Sequence, residues 1–162
     1  MMEIYLLRHA IAETARQGQP DAERALTGEG RDKLRRVLLR ARGAGVKPAA
    51  ILSSPYRRAM ETAAVAKEAL GCGGEIERAE ALVPNASHYD AWEEVRSHKS
   101  VASVLLASHE PLMSSLAAFL LGAPTLQVDM KKAALLRVDC DRFGPQPRGV
   151  LKWMITPATA GE

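Results

Sequence analysis

Long apolar runs, cysteine and aromatic side chains are all scarce in this sequence, and each shortage removes a class of protein. No segment approaches the ~20 consecutive apolar residues that cross a bilayer as a helix, and the apolar run ahead of Arg8 is too short for the core of a signal peptide. A protein with no membrane contact, in the cytoplasm, is expected. The two cysteines, Cys72 and Cys140, write no disulfide framework, which points to a reducing compartment and inert thiols. Two Trp, three Tyr and two Phe are the whole aromatic complement of 162 residues, and none interleaves with the basic run Arg31, Lys33, Arg35, Arg36, Arg40 and Arg42. Without a stacking platform nucleic-acid binding is not expected. That run lies largely opposite the apolar stripe Leu34, Val37, Leu38 and Ala41, as the solvated face of a helix does. Close Cys or His spacing is also missing, so no zinc site is expected from His9, His109 and Cys72.

What remains describes a packed protein. The chain is 47% hydrophobic and 25% charged, far from the profile of disorder, and long enough to bury a core without metal or disulfide support. Its net charge of +3 tolerates an anionic partner without demanding one. No repeat, low-complexity tract or linker divides it, so one domain over residues 1–162 is expected.

Apolar runs of strand length alternate with stretches of helical period, the pattern of a sheet covered by helices. Strands are expected at Ile4–Leu7, Ala49–Leu52, Glu75–Arg78 and Val101–Ala107. Helices are expected from the cap Thr27 to about Arg42, from Pro55 behind the cap Ser54 to Leu70, over Asp90–Ser97 and over Pro111–Leu121. Leu82 to His88 reads as a loop. Lys132–Asp139 and Val150–Thr156 read as a strand pair joined by the turn-rich Phe143–Gly149, and Pro157–Glu162 as a fraying end. Trp92 and Trp153 read as packing residues.

Three of these strands end in polar clusters: Arg8-His9, Ser53-Ser54-Pro55 with Arg57-Arg58, and Ser108-His109. In open α/β sheets ligands bind outside the carboxyl ends of strands, so such ends can meet although they lie far apart in sequence. Two imidazoles and at least two guanidiniums suit a dianionic phosphoryl group, because arginine's planar fork matches its oxygens. Nearby cations should lower a histidine pKa and keep its ring nitrogen free to attack phosphorus.

The blocks Leu7-Arg8-His9-Ala10, Arg24-Ala25-Leu26-Thr27, Ser54 to Thr62 and Ser108-His109-Glu110-Pro111 resemble the histidine phosphatase superfamily, and within it the small SixA-type phosphohistidine phosphatases. The resemblance implies a three-layer α/β/α sandwich with a mostly parallel central sheet, as in phosphoglycerate mutase-like folds. It implies that His9 is the nucleophile that becomes phosphorylated, that Arg8 and Arg58 hold the phosphoryl oxygens with His109, and that Arg24 contacts substrate. It implies no metal and no organic cofactor. Arg57 is then a surface residue, and Lys131 and Lys132 are surface residues near the pocket mouth. Ala10 stands where much of the superfamily has glycine, a position that would be strained if it needed a positive φ. Glu80 is the nearest candidate for the carboxylic acid that many members hold over the pocket, and it stands about one position out of register. A weak or absent general acid favours phosphohistidine, whose leaving nitrogen needs little protonation. The expected substrate is therefore a phosphohistidine-bearing protein. A small phosphorylated substrate is the alternative, and a phosphate-binding module without turnover is a third reading.

Overall fold

The computed structural model describes residues 1–161. Six strands and four helices alternate along the chain: β1 (Met2–Arg8), α1 (Gly28–Gly43), β2 (Ala50–Ser53), α2 (Arg57–Leu70), β3 (Ile76–Arg78), α3 (His88–Arg96), β4 (Ser103–Ser108), α4 (Leu112–Leu120), β5 (Leu135–Cys140) and β6 (Gly149–Ile155). The sheet order is β3-β2-β4-β1-β5-β6. β3, β2, β4 and β1 run parallel, while β5 pairs antiparallel with β1 and β6 antiparallel with β5. The sheet is therefore mixed, with its parallel part where the crossover helices occur and a hairpin at the other edge.

Period-two alternation in the central strands sends side chains into two cores. Ile4, Leu6, Val104 and Leu106 pack with Trp92 and Val95 of α3 and with Leu112, Met113 and Leu116 of α4. Tyr5, Leu7, Leu105 and Ala107 pack on the opposite face with Leu34, Val37 and Leu38 of α1 and with Ala63 and Ala66 of α2. Helices thus cover both faces in three layers. The crossovers through α1 and α2 travel one way along the sheet on one face and the crossover through α3 returns on the other, as right-handed parallel connections require, while α4 leads on that second face into the antiparallel β5. Trp92 is buried and Trp153 is half-buried against Tyr5, consistent with packing roles.

Several boundaries differ from the sequence reading, each for a local reason. Thr27 does cap α1, accepting from Gly30 N at 2.9 Å. α2, however, begins at Arg57 behind an extended Tyr56, because Ser54 Oγ accepts from Tyr56 N in a preceding turn rather than capping the helix. α3 starts at His88, two residues early, since Ser87 accepts from Tyr89 N. Residues 80–82, expected as loop or its margin, form a 3-10 turn. Residues 132–134 are not strand: Ala133 has φ 65° and turns its N–H toward the carbonyls of Arg8 and His9, both at 3.2 Å. The end does not fray at Pro157, because Thr159 N and Ala160 N close a turn onto the Thr156 carbonyl and Ala160 packs on the core. Glu162 lies outside the described residues. Among those residues, no helix is long and apolar enough to cross a membrane.

Candidate active site

The parallel ladders carry three strand ends to one level. His9 N bonds Ser108 O at 2.9 Å, and Ser54 N bonds Ala107 O at 3.0 Å, so each pairing continues one step past its strand. There the His9 and His109 rings meet with centroids 5.2 Å apart. Tyr56 lies edge-on to His109 with centroids also 5.2 Å apart, and the Arg58 guanidinium stacks 5.1 Å over the Tyr56 ring. His9, Arg58 and His109 are buried, and Arg8 is half-buried.

Orientation comes from bonds the side chains make away from the centre. His9 Nδ1 lies 2.7 Å from Ala10 O, an acceptor only, so this nitrogen carries the proton and Nε2 keeps the lone pair. Arg8 donates from Nη1 to Met130 O at 2.8 Å. Arg58 donates from Nη1 to Asp21 O at 2.9 Å and from Nη2 to the Asp21 carboxylate at 3.1 Å. His109 Nε2 lies 2.8 Å from Ser54 Oγ. The arginines and His109 each retain one buried nitrogen without a protein partner: Arg8 Nε, Arg58 Nε and His109 Nδ1. Among the described residues these are the buried side-chain polar atoms left unpaired, and all belong to this cluster. Since an unpaired buried donor costs about 1–3 kcal/mol, the concentration of three marks a site shaped for an acceptor.

Both histidines are hard to protonate. Burial lowers the His9 pKa to about 4, with Arg58, Arg8 and Lys132 adding to the effect against the opposing bond to Ala10. Burial also leads at His109, lowered to about 3, with His9 and Arg58 contributing. The sequence reading assigned this neutrality to the cations; desolvation is the larger cause. Asp21 is lowered as well, which for a carboxyl favours the charged form. Slight burial opposes its ionisation, but hydrogen bonds from Arg24 and Arg58 outweigh that and hold its carboxyl below the ordinary range.

The remaining candidates stand further out. Arg24 binds Asp21 Oδ1 at 2.8 Å and Glu13 O at 3.1 Å, so it reaches the cluster through Asp21. Arg57 is exposed and pairs with Glu61. Glu80 is exposed, and no hydrogen bond or ion pair draws its carboxylate into the cluster, although its turn is anchored there by Ala79 N to Ser53 O and Ser108 Oγ to Leu82 O. Ala10 carries no positive φ and is buried, so the fold accepts alanine at that point.

Three contributors escaped the sequence reading. Asp21 holds Arg58, and its three-residue spacing from Arg24 was the available signal. Ser54 was read as a cap and as part of the polar cluster at a strand end, without its bond to His109. Thr62 accepts from Ala10 N at 3.1 Å and donates to Arg58 O at 2.7 Å, tying the turn after β1 to the first turn of α2. Among the described residues no group of three or more His, Cys, Asp or Glu side chains could hold a metal.

Known proteins resemble this chain in sequence and fold. The histidine phosphatase superfamily (branch 1) matches residues 4–83. Phosphohistidine phosphatase SixA of Escherichia coli is 28% identical over 158 residues, 96% of this chain and 94% of the relative. The chain belongs to the histidine phosphatase superfamily. A second relative in that comparison, an uncharacterized Picosynechococcus protein, is 30% identical over 138 residues, 83% of either chain. The solved structure of the protein histidine phosphatase SixA complexed with tungstate superposes with a TM-score of 0.86 at 27% identity, covering 97% of this chain and 98% of that one. Membership in the histidine phosphatase superfamily places the chain in the phosphatase class of hydrolases.

Proposed function

We propose that the chain is one histidine phosphatase domain that removes the phosphoryl group from phosphohistidine in a protein, through a phosphorylated His9. The observation that carries this reading is the set of three unpaired buried nitrogens, on Arg8, Arg58 and His109, around a histidine whose Nε2 holds a lone pair. The tungstate held by the SixA structure, a tetrahedral oxyanion, supports the same chemistry.

The steps follow from the geometry. Arg8 and Arg58 donate from Nε to the phosphoryl oxygens. Ser54 accepts from Tyr56 N and donates its hydroxyl proton to His109 Nε2, which leaves the His109 proton on Nδ1 for a third oxygen. His9 Nε2 attacks phosphorus as the P–N bond to the substrate imidazole breaks, and the Nδ1 bond to Ala10 O stabilises the charge that develops on the ring. The departing imidazole takes a proton from solvent. Water then attacks phospho-His9, releasing inorganic phosphate and restoring the neutral ring. Fixed donors aimed at the equatorial oxygens supply most of what phosphoryl transfer requires.

Substrate preference follows from protons. At neutral pH the buried histidines are neutral, Asp21 is ionised by its arginines and Glu80 is exposed. No group at the centre is ready to protonate an alkoxide, a deficiency worth roughly 10²–10⁴-fold for leaving groups that need it. An imidazole needs little such help. The deciding experiment offers the purified protein phosphohistidine, phosphoserine, phosphotyrosine and sugar phosphates, with His9→Ala as control. Selective release from phosphohistidine that disappears in His9→Ala is expected, and unselective or His9-independent release would reject the mechanism.

A further inference from the structure

Beside the histidine pair, a groove of about 860 Å³ opens where the end of β1, α1, the approach to β5 and the C-terminal turn meet. Lys33, Arg36, Lys131 and Lys132 stand around it with Arg8, and among the described residues no carboxylate lines it. Ile11, Ala133, Pro157 and Ala158 give it an apolar floor. Lys33 is shared with Glu29 and Lys131 with Asp129, each at 3.0 Å, in exposed pairs of the weak, exchangeable kind. Arg36 and Lys132 form no ion pair among the described residues. Arg8 lines the groove and also belongs to the oxyanion cluster, and Ala133 of its lining bonds the Arg8 and His9 carbonyls, so groove and cluster adjoin at the end of β1.

We propose that this groove docks an acidic segment of the phosphohistidine-bearing protein and so seats the phosphorylated side chain over His9; this rests on the function proposed above. The buried donors of Arg8, Arg58 and His109 satisfy a phosphoryl group by themselves, which leaves the outer cations with no part in the chemistry. A protein substrate lays the surroundings of its phosphohistidine along the enzyme surface, and carboxylates there meet cations while apolar neighbours meet the floor. Such complementarity sets register and encounter rate. Among the described residues no aromatic side chain lines the groove, so nucleobases find nothing to stack on and an acidic polypeptide is the better fit.

The test uses a Lys33→Glu, Arg36→Glu double variant of the full chain; both residues lie on α1 and neither belongs to the oxyanion cluster. Fluorescence anisotropy compares an unphosphorylated acidic peptide, its Asn/Gln counterpart and a single-stranded oligonucleotide of equal charge. The acidic peptide is expected to bind the unaltered protein, more weakly as salt rises, and to bind the double variant roughly tenfold more weakly. The KM for phosphohistidine within that peptide should rise roughly tenfold at unchanged kcat, while free phosphoimidazole turns over as before. Equal peptide binding by both proteins, tighter binding of the oligonucleotide, or an equal KM increase for phosphoimidazole would overturn the proposal. Failure to release phosphate from any phosphohistidine would sink the proposed function instead, and the binding comparison would still decide the groove. If the double variant does not fold, Lys33→Gln with Arg36→Gln should shift binding in the same direction by roughly threefold, and its failure to do so counts against docking.

Discussion

Replacing Arg58 with lysine keeps the charge and removes the geometry. In the fold Nη1 and Nη2 of this guanidinium are bound to Asp21 and Nε has no partner, the nitrogen that the proposed mechanism assigns to the phosphoryl group. A lysine has a single nitrogen on a flexible stem and cannot serve both directions. Because the Asp21 carboxylate is ionised and its backbone carbonyl lies alongside, the ammonium is drawn outward, away from the centre. Removing one preorganised donor from an oxyanion site lowers kcat by about 10²–10³-fold, or about 2.7–4 kcal/mol of transition-state stabilisation. Stability should change much less, since the buried charge keeps its carboxylate partner. Rapid-quench measurement of phospho-His9 formation from phosphoimidazole reads the chemical step directly, with urea unfolding as the control for folding. A phosphorylation rate within about threefold of the unaltered protein would show that Arg58 Nε does not hold the phosphoryl group, refuting the reasoning built on the unpaired nitrogens.

Other expectations follow from neighbouring contacts. Thr62→Val keeps shape but strands Ala10 N–H and frees the Arg58 carbonyl, so unfolding free energy should fall by about 1–3 kcal/mol, with Thr62→Ser restoring it; an unchanged urea midpoint would contradict this tie. Ala10→Gly, although it restores the residue common in the superfamily, should lower stability by about 1–2 kcal/mol, because a buried methyl is lost and the backbone needs no positive φ; thermal unfolding checks it. The pH dependence has a definite sign. His9 and His109 titrate at about 4 and about 3 in the fold against 6.5 when unfolded, so below pH 6.5 the unfolded chain takes up protons first. Their contribution is complete above pH 6.5 and is lost as pH falls toward 4 and then 3. A His9→Gln, His109→Gln variant should therefore lose less stability between pH 7 and pH 4.5 in urea titrations, and equal losses would contradict the burial argument.

Much of the architecture was legible because its causes are local in sequence. Alternation in Ile4–Leu7, the helical stripe Leu34, Val37, Leu38 and Ala41, and the Thr27 cap each depend on residues within one or two turns, and all appear in the fold. Reading failed where a local preference met a distant partner. Ser54 looks like a cap but contacts His109, 55 positions away, and residues 132–134 look like strand until Ala133 turns its N–H to Arg8 and His9. Glu80 was a candidate for the pocket carboxylate through the family resemblance, yet its side chain is exposed in the fold.

The chain's order of residue types by itself determined that two histidines and two arginines follow strands whose ends could share an edge, since periodicity and turn chemistry act over a few residues. Tertiary structure alone decided which nitrogens of Arg58 the Asp21 residue occupies and which one it leaves unpaired. It also decided that Thr62 locks the turn after β1 to α2, and that burial more than the neighbouring cations keeps both imidazoles neutral. Those outcomes depend on desolvation and on hydrogen bonds between residues 37 and 52 positions apart, which are properties of proximity in space.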